Sequence, residues 1–422
     1  MEHTNRTIRP LTQQDLEAYL DIYLNAYPAY KTLDEACREH YREKHRLELR
    51  EDRQVQTVGL FEGDVLIATM KLILFSMNCF GRMQTACGLM ALEVHPLHKK
   101  QGAALEMIRY FEDYARRHGA LLTLLLPFQI SFYRRMGYGF AGKLYEYHLP
   151  TAVLPKPDGE ARRHLRLLQP EDFDRVLACH SRFAAQNHGM VEKFEEEVRA
   201  ARTDVQVRRI GYCADDGMLR GYVAYRFESA SDTNYTRNRL SVEELVYDDG
   251  VVLRALLGAL KLQEDLAQTV LLRTGEEDFH HLLEDPQDVS GNYIDYGFLQ
   301  TNVSAIGTMF KLLDPAAFVT ATAYRTLPQG TLTAAFCYRD EMAHRDCRTV
   351  LRFDGGCWSA LPEEAPAEVT VTCRQGDLAS LLMASCGLES VVRLGAVAVT
   401  GPWQQLAQLL HYGQKPWLNS DY

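Results

Sequence analysis

Read for its alternation of apolar and polar positions, the first 150 residues predict an alternating series of strands and helices. Ile8 opens a short strand. Thr12, with Asp15 three residues later, reads as a capped helix start, followed by Leu16, Tyr19, Leu20 and Tyr23 at helical spacing. Helical character continues through the highly charged run 34–50. Residues 56–61 and 64–75 read as strands turned by Glu62-Gly63, and 83–94 as a third. Pro96 ends it, because proline cannot donate to a sheet ladder. Residues 103–117 then place Leu105, Ile108, Phe111 and Ala115 on or near one helical face. A buried strand at 121–126 stops at Pro127, and a short amphipathic segment, 128–140, follows.

The pattern then repeats. Residues 165–173 echo 8–16, with Arg166, Leu168 and Asp172 matching Arg9, Leu11 and Asp15 at one offset of 157. The strand–turn–strand 209–224 echoes the stretch starting at Thr57. The copies part where 240–247 ends, because Asp248-Asp249-Gly250 stands where the first copy has a basic loop. The last third has another character. Residues 308–319 read as a strand leading into a helix, and 331–339, 348–353 and 368–373 as strands. Residues 376–386 and 402–412 read as helices, the second with an apolar patch of Leu406, Leu409 and Leu410. This is an α+β pattern.

Candidate chemistry concentrates at 92–104. A strand end, a tight loop carrying Lys99, Lys100 and Gly102, and a helix start follow one another. A helix N-terminus offers unpaired N–H groups and a positive dipole end, glycine permits close backbone approach, and the lysines add charge. The stretch reads as a pyrophosphate cradle. In the second copy two carboxylates would repel such a ligand.

Composition narrows the classes. With 422 residues, 46% apolar and 24% charged, the chain has length for several cores. Its net charge of −10 argues against a nucleic-acid binder. The ten cysteines stand singly, without CxxC or zinc spacing, and most are expected to be small buried apolar residues. His280-His281 reads as structural, and no metal is expected. The N-terminal residues lack a signal-peptide layout, and the longest apolar run is too short to span a membrane, so a cytoplasmic protein is expected.

Lys99-x-x-Gly102-x-Ala104, with Val94 and Pro96 upstream, resembles the acyl-CoA-binding motif of the GCN5-related N-acetyltransferases, lysine replacing the usual Arg or Gln. Tyr133-Arg-Arg-Met-Gly137-Tyr138, 31 residues after Gly102, resembles that family's next motif. The two halves, the degenerate second copy and the α+β end together resemble the Eis-like (enhanced intracellular survival) group. The resemblance implies a mixed α/β, α+β-class chain. Its parts would be a catalytic domain at 1–150, a degenerate acetyltransferase-like domain at 151–305, and a sterol-carrier-like domain at 306–422.

The resemblance also implies an activity. Acetyl would pass from acetyl-CoA to a primary amine, on an aminoglycoside, a polyamine or a lysine side chain, in a homo-hexamer. Tyr133 would be the general acid and the terminal α-carboxylate, on Tyr422, the general base. Backbone groups of Leu92, Glu93 and Val94 would line the thioester and pantetheine arm. The amides of Gln101, Gly102, Ala103, Ala104 and Leu105, with Lys99 and Lys100, would hold the pyrophosphate. Asp421 would attract the cationic acceptor. Some members have a serine where Phe128 stands, which leaves that contact open. Alternatives are another acyl donor or acceptor, or a non-catalytic acyl-CoA or lipid sensor built on the C-terminal unit.

Overall fold

The computed structural model describes residues 5–26, 28, 31–51, 54–325 and 328–417. Thr12 turns the chain with a capping box: its hydroxyl accepts from the Gln14 N–H, and its own N–H donates to Asp15 (2.8 Å). That turn leads from β1 (Arg6–Pro10) to α1 (Leu16–Ala26), and α2 (Glu35–Glu51) follows. An antiparallel meander comes next: β2 (Val55–Glu62), β3 (Val65–Cys79) and β4 (Arg82–Val94). Helix α3 (Ala103–Arg117) crosses over to β5 (Leu122–Leu125), parallel to β4, and α4 (Ile130–Arg134) leads to β6 (Gly139–Phe140).

The β3–β4 hairpin is longer than the alternation suggests. Polar Ser76 and Asn78 interrupt the apolar pattern, yet the strands run on to a two-residue turn, Phe80-Gly81, with both residues at positive φ (56° and 93°). Asn78 is fully buried because it grips the second unit. Its N–H donates to Met190 O (2.8 Å) and its side-chain amide to Ala184 O (2.9 Å).

The sheets cross the boundaries read at 150 and 306. Strand β7 (Lys143–Pro150) belongs to the second sheet, with β8 (Leu165–Leu167), β9 (Arg208–Cys213), β10 (Leu219–Ser229), β11 (Asn238–Tyr247), β12 (Thr269–Thr274) and β13 (Val303–Ile306). Helices α5 (Ala161–His164), α6 (Phe173–Gln186), α7 (Glu195–Thr203) and α8 (Gly250–Lys261) complete this unit. Then β14 (Met309–Leu312) returns to the first sheet and slots antiparallel between β5 and β6. Its Lys311 is buried and donates to Glu112 Oε1 (2.8 Å) on α3 and to Met136 O (2.9 Å) just past α4. A charge inside the core is tolerated because it is paired and hydrogen-bonded.

Past α9 (Pro315–Ala321) the third unit is a five-stranded sheet of β15 (Thr331–Asp340), β16 (Arg345–Asp354), β17 (Cys357–Leu361), β18 (Val369–Thr372) and a short strand nearer the end of the chain. The helix expected at 376–386 is α10 (Gln375–Leu382). It stops at Met383, and Ala384 takes φ 58° before a separate α11 (Leu388–Arg393). Strand β19 (Ala398–Thr400) and α12 (Trp403–Leu410) finish the unit. Leu406, Leu409 and Leu410 pack into one core with Leu332 and Phe336 of β15 and with Phe75, Leu122 and Phe310 of the first sheet. No described helix is long and apolar enough to cross a membrane.

The third unit docks on the first without room to spare. A Cβ on Gly139 would lie 1.8 Å from the carbonyl oxygen of Gly376 in α10. Gly139→Ala therefore forces β6 and α10 apart. The expected result is a destabilisation of about 1–3 kcal/mol, the usual range for overpacking, read as a lower denaturant midpoint at unchanged m-value.

Candidate active site

Strands β4 and β5 pair in parallel only from Ala86/Leu122 to Leu89/Leu125. Beyond Leu89, β4 runs on to Val94 against β3 alone, so a cleft opens on its other side. The His95 N–H donates to Ile67 O on β3 (2.9 Å). By the alternation of an antiparallel ladder, the Val94 N–H points away from β3, into the cleft. A β-bulge sits at this place. Thr69 faces Glu93 and Lys71 faces Met90, so Met70 opposes both Ala91 and Leu92, and Ala91 has φ 51°. The extra residue reverses the alternation. Cys87 and Leu89 pack under α3, and after the bulge so do Leu92 and Val94, while Glu93 turns to the opposite face.

The cleft is a cavity of about 590 Å³. Its floor is Leu92, Glu93 and Val94; one wall is the loop and first turn of α3; the other is Phe128, Gln129, Phe132 and Tyr133. Gly102, at φ 86°, starts α3 with no side-chain cap, so the first N–H groups stay open to a ligand. Helix α8 of the second unit is built the other way. Asp249 Oδ1 accepts from the Val251 and Val252 N–H groups (2.8 and 2.9 Å) and fills its own helix end with a carboxylate. An anion suits the first helix start and is excluded from the second.

Tyr133 reaches the cavity from α4, which is fixed from below. The Met136 and Tyr138 N–H groups both donate to Tyr133 O (2.9 and 3.1 Å), a reversal made possible by Gly137 at φ 87°. Tyr138 is buried, and its hydroxyl accepts from Thr123 Oγ1 (3.2 Å). Lys311 anchors Met136, and Arg134 pairs with Asp377 of α10 (2.8 Å). The ring of Tyr133 is itself buried, edge-on to Phe132 and Tyr138.

The sequence reading assigned Glu93 a backbone role only, and the structure adds its carboxylate. Glu93 is 2% exposed and lines the cavity. Oε2 accepts from Thr69 Oγ1 (3.2 Å), and Oε1 has no hydrogen-bond partner among the described residues. Burial pushes this carboxyl up to about 7, against the opposing charges of Lys31 and Lys71 and the Thr69 hydrogen bond. Lys31 is also buried; its ammonium lies 3.0 Å from the centre of the Tyr23 ring and donates to Tyr23 O (3.3 Å). Burial lowers the Lys31 ammonium to about 8, while the Glu93 charge works against that shift. Deeper in, Lys71 pairs with Glu48 (2.8 Å), which also contacts His45 (2.8 Å). Glu196, from α7 of the second unit, stands 3.6 Å from Lys71.

Leu92, Glu93, Val94, Lys99, Lys100, Gly102, Ala103, Ala104, Leu105 and Tyr133 thus share one cavity. Gln101 stands apart from its lining: its side chain donates to Leu97 O (3.3 Å), and its carbonyl accepts from Arg6 (3.1 Å). Arg6 also binds Glu106 in the first turn of α3 (2.7 Å), offsetting the one acidic side chain there. Phe128 is 92% exposed at the cavity wall and presents an apolar face where a serine was the alternative. Asp421 and Tyr422 lie outside the described residues. Among the described residues no three His, Cys, Asp or Glu side chains gather as a metal site requires.

Residues 7–141 and 189–299 each match an acetyltransferase (GNAT) domain. No curated protein matches the chain by sequence. Solved structures match it over nearly its whole length. A GCN5-related N-acetyltransferase from Anabaena variabilis has TM-score 0.77 at 14% identity, over 98% of each chain. One from Kribbella flavida has 0.74 at 19%, over 97% of each. Eis1 from Mycobacterium abscessus has 0.73 at 20%, over 99% of this chain and 100% of that one. At such identities the likeness is one of fold.

Proposed function

We propose, on the premise that this chain carries two tandem domains of the GNAT acetyltransferase family, that the first transfers acetyl from acetyl-CoA to a primary amine. The observation carrying this reading is the single cavity that joins the open β4 edge at Leu92, Glu93 and Val94, the uncapped start of α3 and Tyr133. The α3 amides, with Lys99 and Lys100, would hold the pyrophosphate, and the β4 edge would take the pantetheine arm as an added strand does. Asp249 leaves the second domain without such a cradle.

Each chemical role has a group to fill it. The Val94 N–H would donate to the oxyanion formed when the amine attacks the thioester. Tyr133 would return a proton to the departing thiolate. A protonated amine must first lose a proton, and Glu93, with its carboxyl near 7, is matched to accept it at neutral pH. The terminal carboxylate that the resemblance assigns to Tyr422 would, at an ordinary pKa of about 3.5, be the weaker base; with Asp421 it would hold the acceptor cation beside the thioester.

Release of CoA thiol from acetyl-CoA across polyamines, aminoglycosides and lysine peptides tests the reading. Amine-dependent release is expected; no turnover with any amine, beside tight binding of a lipid, would favour the sensor. Extending the chain past Tyr422 is expected to raise the acceptor KM at unchanged acetyl-CoA affinity, and unaltered kinetics would remove the tail from the site.

A further inference from the structure

Leu105 and Phe132 line the cavity and also face beyond it. The same two side chains are walls of a second hollow of about 290 Å³. Its other walls are Arg109 on α3, Arg135 and Met136 just past α4, and the turn joining β15 to β16 at Glu341, Met342 and His344. Arg109 lies four residues beyond Leu105, about 6 Å further along the helix axis. Arg134 and Arg116 pair with Asp377 and Asp113. Arg109 and Arg135 are exposed, and neither enters an ion pair among the described residues.

We propose that this hollow is a phosphomonoester subsite in which Arg109 and Arg135 hold the 3′-phosphate on the adenosine end of coenzyme A. The assignment rests on the acetyl-CoA reading above. A pyrophosphate at residues 102–105 fixes one end of the nucleotide. The ribose bonded to it carries its 3′-phosphate a few bonds away, the distance of one helical turn from Leu105 to Arg109. Two guanidinium forks suit a phosphate dianion, which accepts paired hydrogen bonds. Phe132, Met136 and Met342 supply apolar faces against which a purine can pack. Glu341 carries the wrong sign for this ligand and weakens the site. The third unit thereby joins donor selection, because its β15–β16 turn is the far wall.

Calorimetric titration of the full chain with CoA and with 3′-dephospho-CoA tests this. The wild type is expected to bind CoA about tenfold or more tightly than the dephospho form. Arg109→Ala with Arg135→Ala is expected to bring CoA down to the dephospho level and leave dephospho-CoA binding within about twofold. Glu341→Gln is expected to tighten CoA alone. Equal wild-type affinity for the two ligands overturns the subsite, and so does a double variant that loses both ligands alike. If the wild type binds neither ligand, the acetyl-CoA reading itself falls and the subsite with it.

Discussion

Tyr133→Phe is expected to lower turnover by about 10²- to 10⁴-fold, the range a positioned general acid contributes, while acetyl-CoA affinity stays within about twofold. The substitution isolates the hydroxyl. The ring packs edge-on against Phe132 and Tyr138 and belongs to the core under α3. Phenylalanine keeps those contacts, and Gly137 and Lys311 still hold the helix end. The effect belongs in kcat and kcat/KM together, as for a group that acts in the transition state alone. The leaving group adds a second check. A thiol of pKa about 8.5 departs slowly as a bare thiolate, so proton delivery matters. A donor with a more acidic thiol should lose less rate in the variant. An unchanged rate with acetyl-CoA would return Tyr133 to a packing role.

The strand–loop–helix at 92–104 was legible because its physics is local. Pro96 ends a strand, Gly102 takes φ 86°, and apolar spacing carries α3. Asp249 was legible as a like charge at the second helix start, and the structure shows it also caps that helix. The bulge was not legible, since nothing in Ala91-Leu92 asks for a positive φ, and without it Glu93 would lie among the apolar residues beneath α3. Nothing local in the sequence marks Lys311 as buried, because its partners, Glu112 and Met136, stand 199 and 175 residues away in sequence. The insertion of β14 between β5 and β6 is equally non-local. Hydrophobic alternation marks a strand and its buried face, and is silent about which sheet receives it.

Glu93→Gln is expected to move activity and stability in opposite directions. In the folded chain burial holds the Glu93 carboxyl up to about 7, above the unfolded carboxylate value of about 4.3. Between those values the folded state binds more protons than the unfolded one. Stability is therefore highest below the lower value, falls as pH rises through 7, and is flat above it. Glutamine keeps the shape and the Thr69 contact but never ionises. The variant should unfold at a higher temperature than the wild type at pH 8, with the difference fading toward pH 4. Wild-type kcat/KM should rise with pH through about 7 as the base form appears, and the variant should lose this limb along with about 10²-fold or more in rate. A carboxylate that served structure alone would give a less stable variant with unchanged turnover. A variant both stabler and slower marks a group held in an unfavourable state for its chemistry, the trade-off expected of active sites. The bulge at Ala91 is what places it there, on the face shared with Lys71 and Lys31 and at the floor of the cavity.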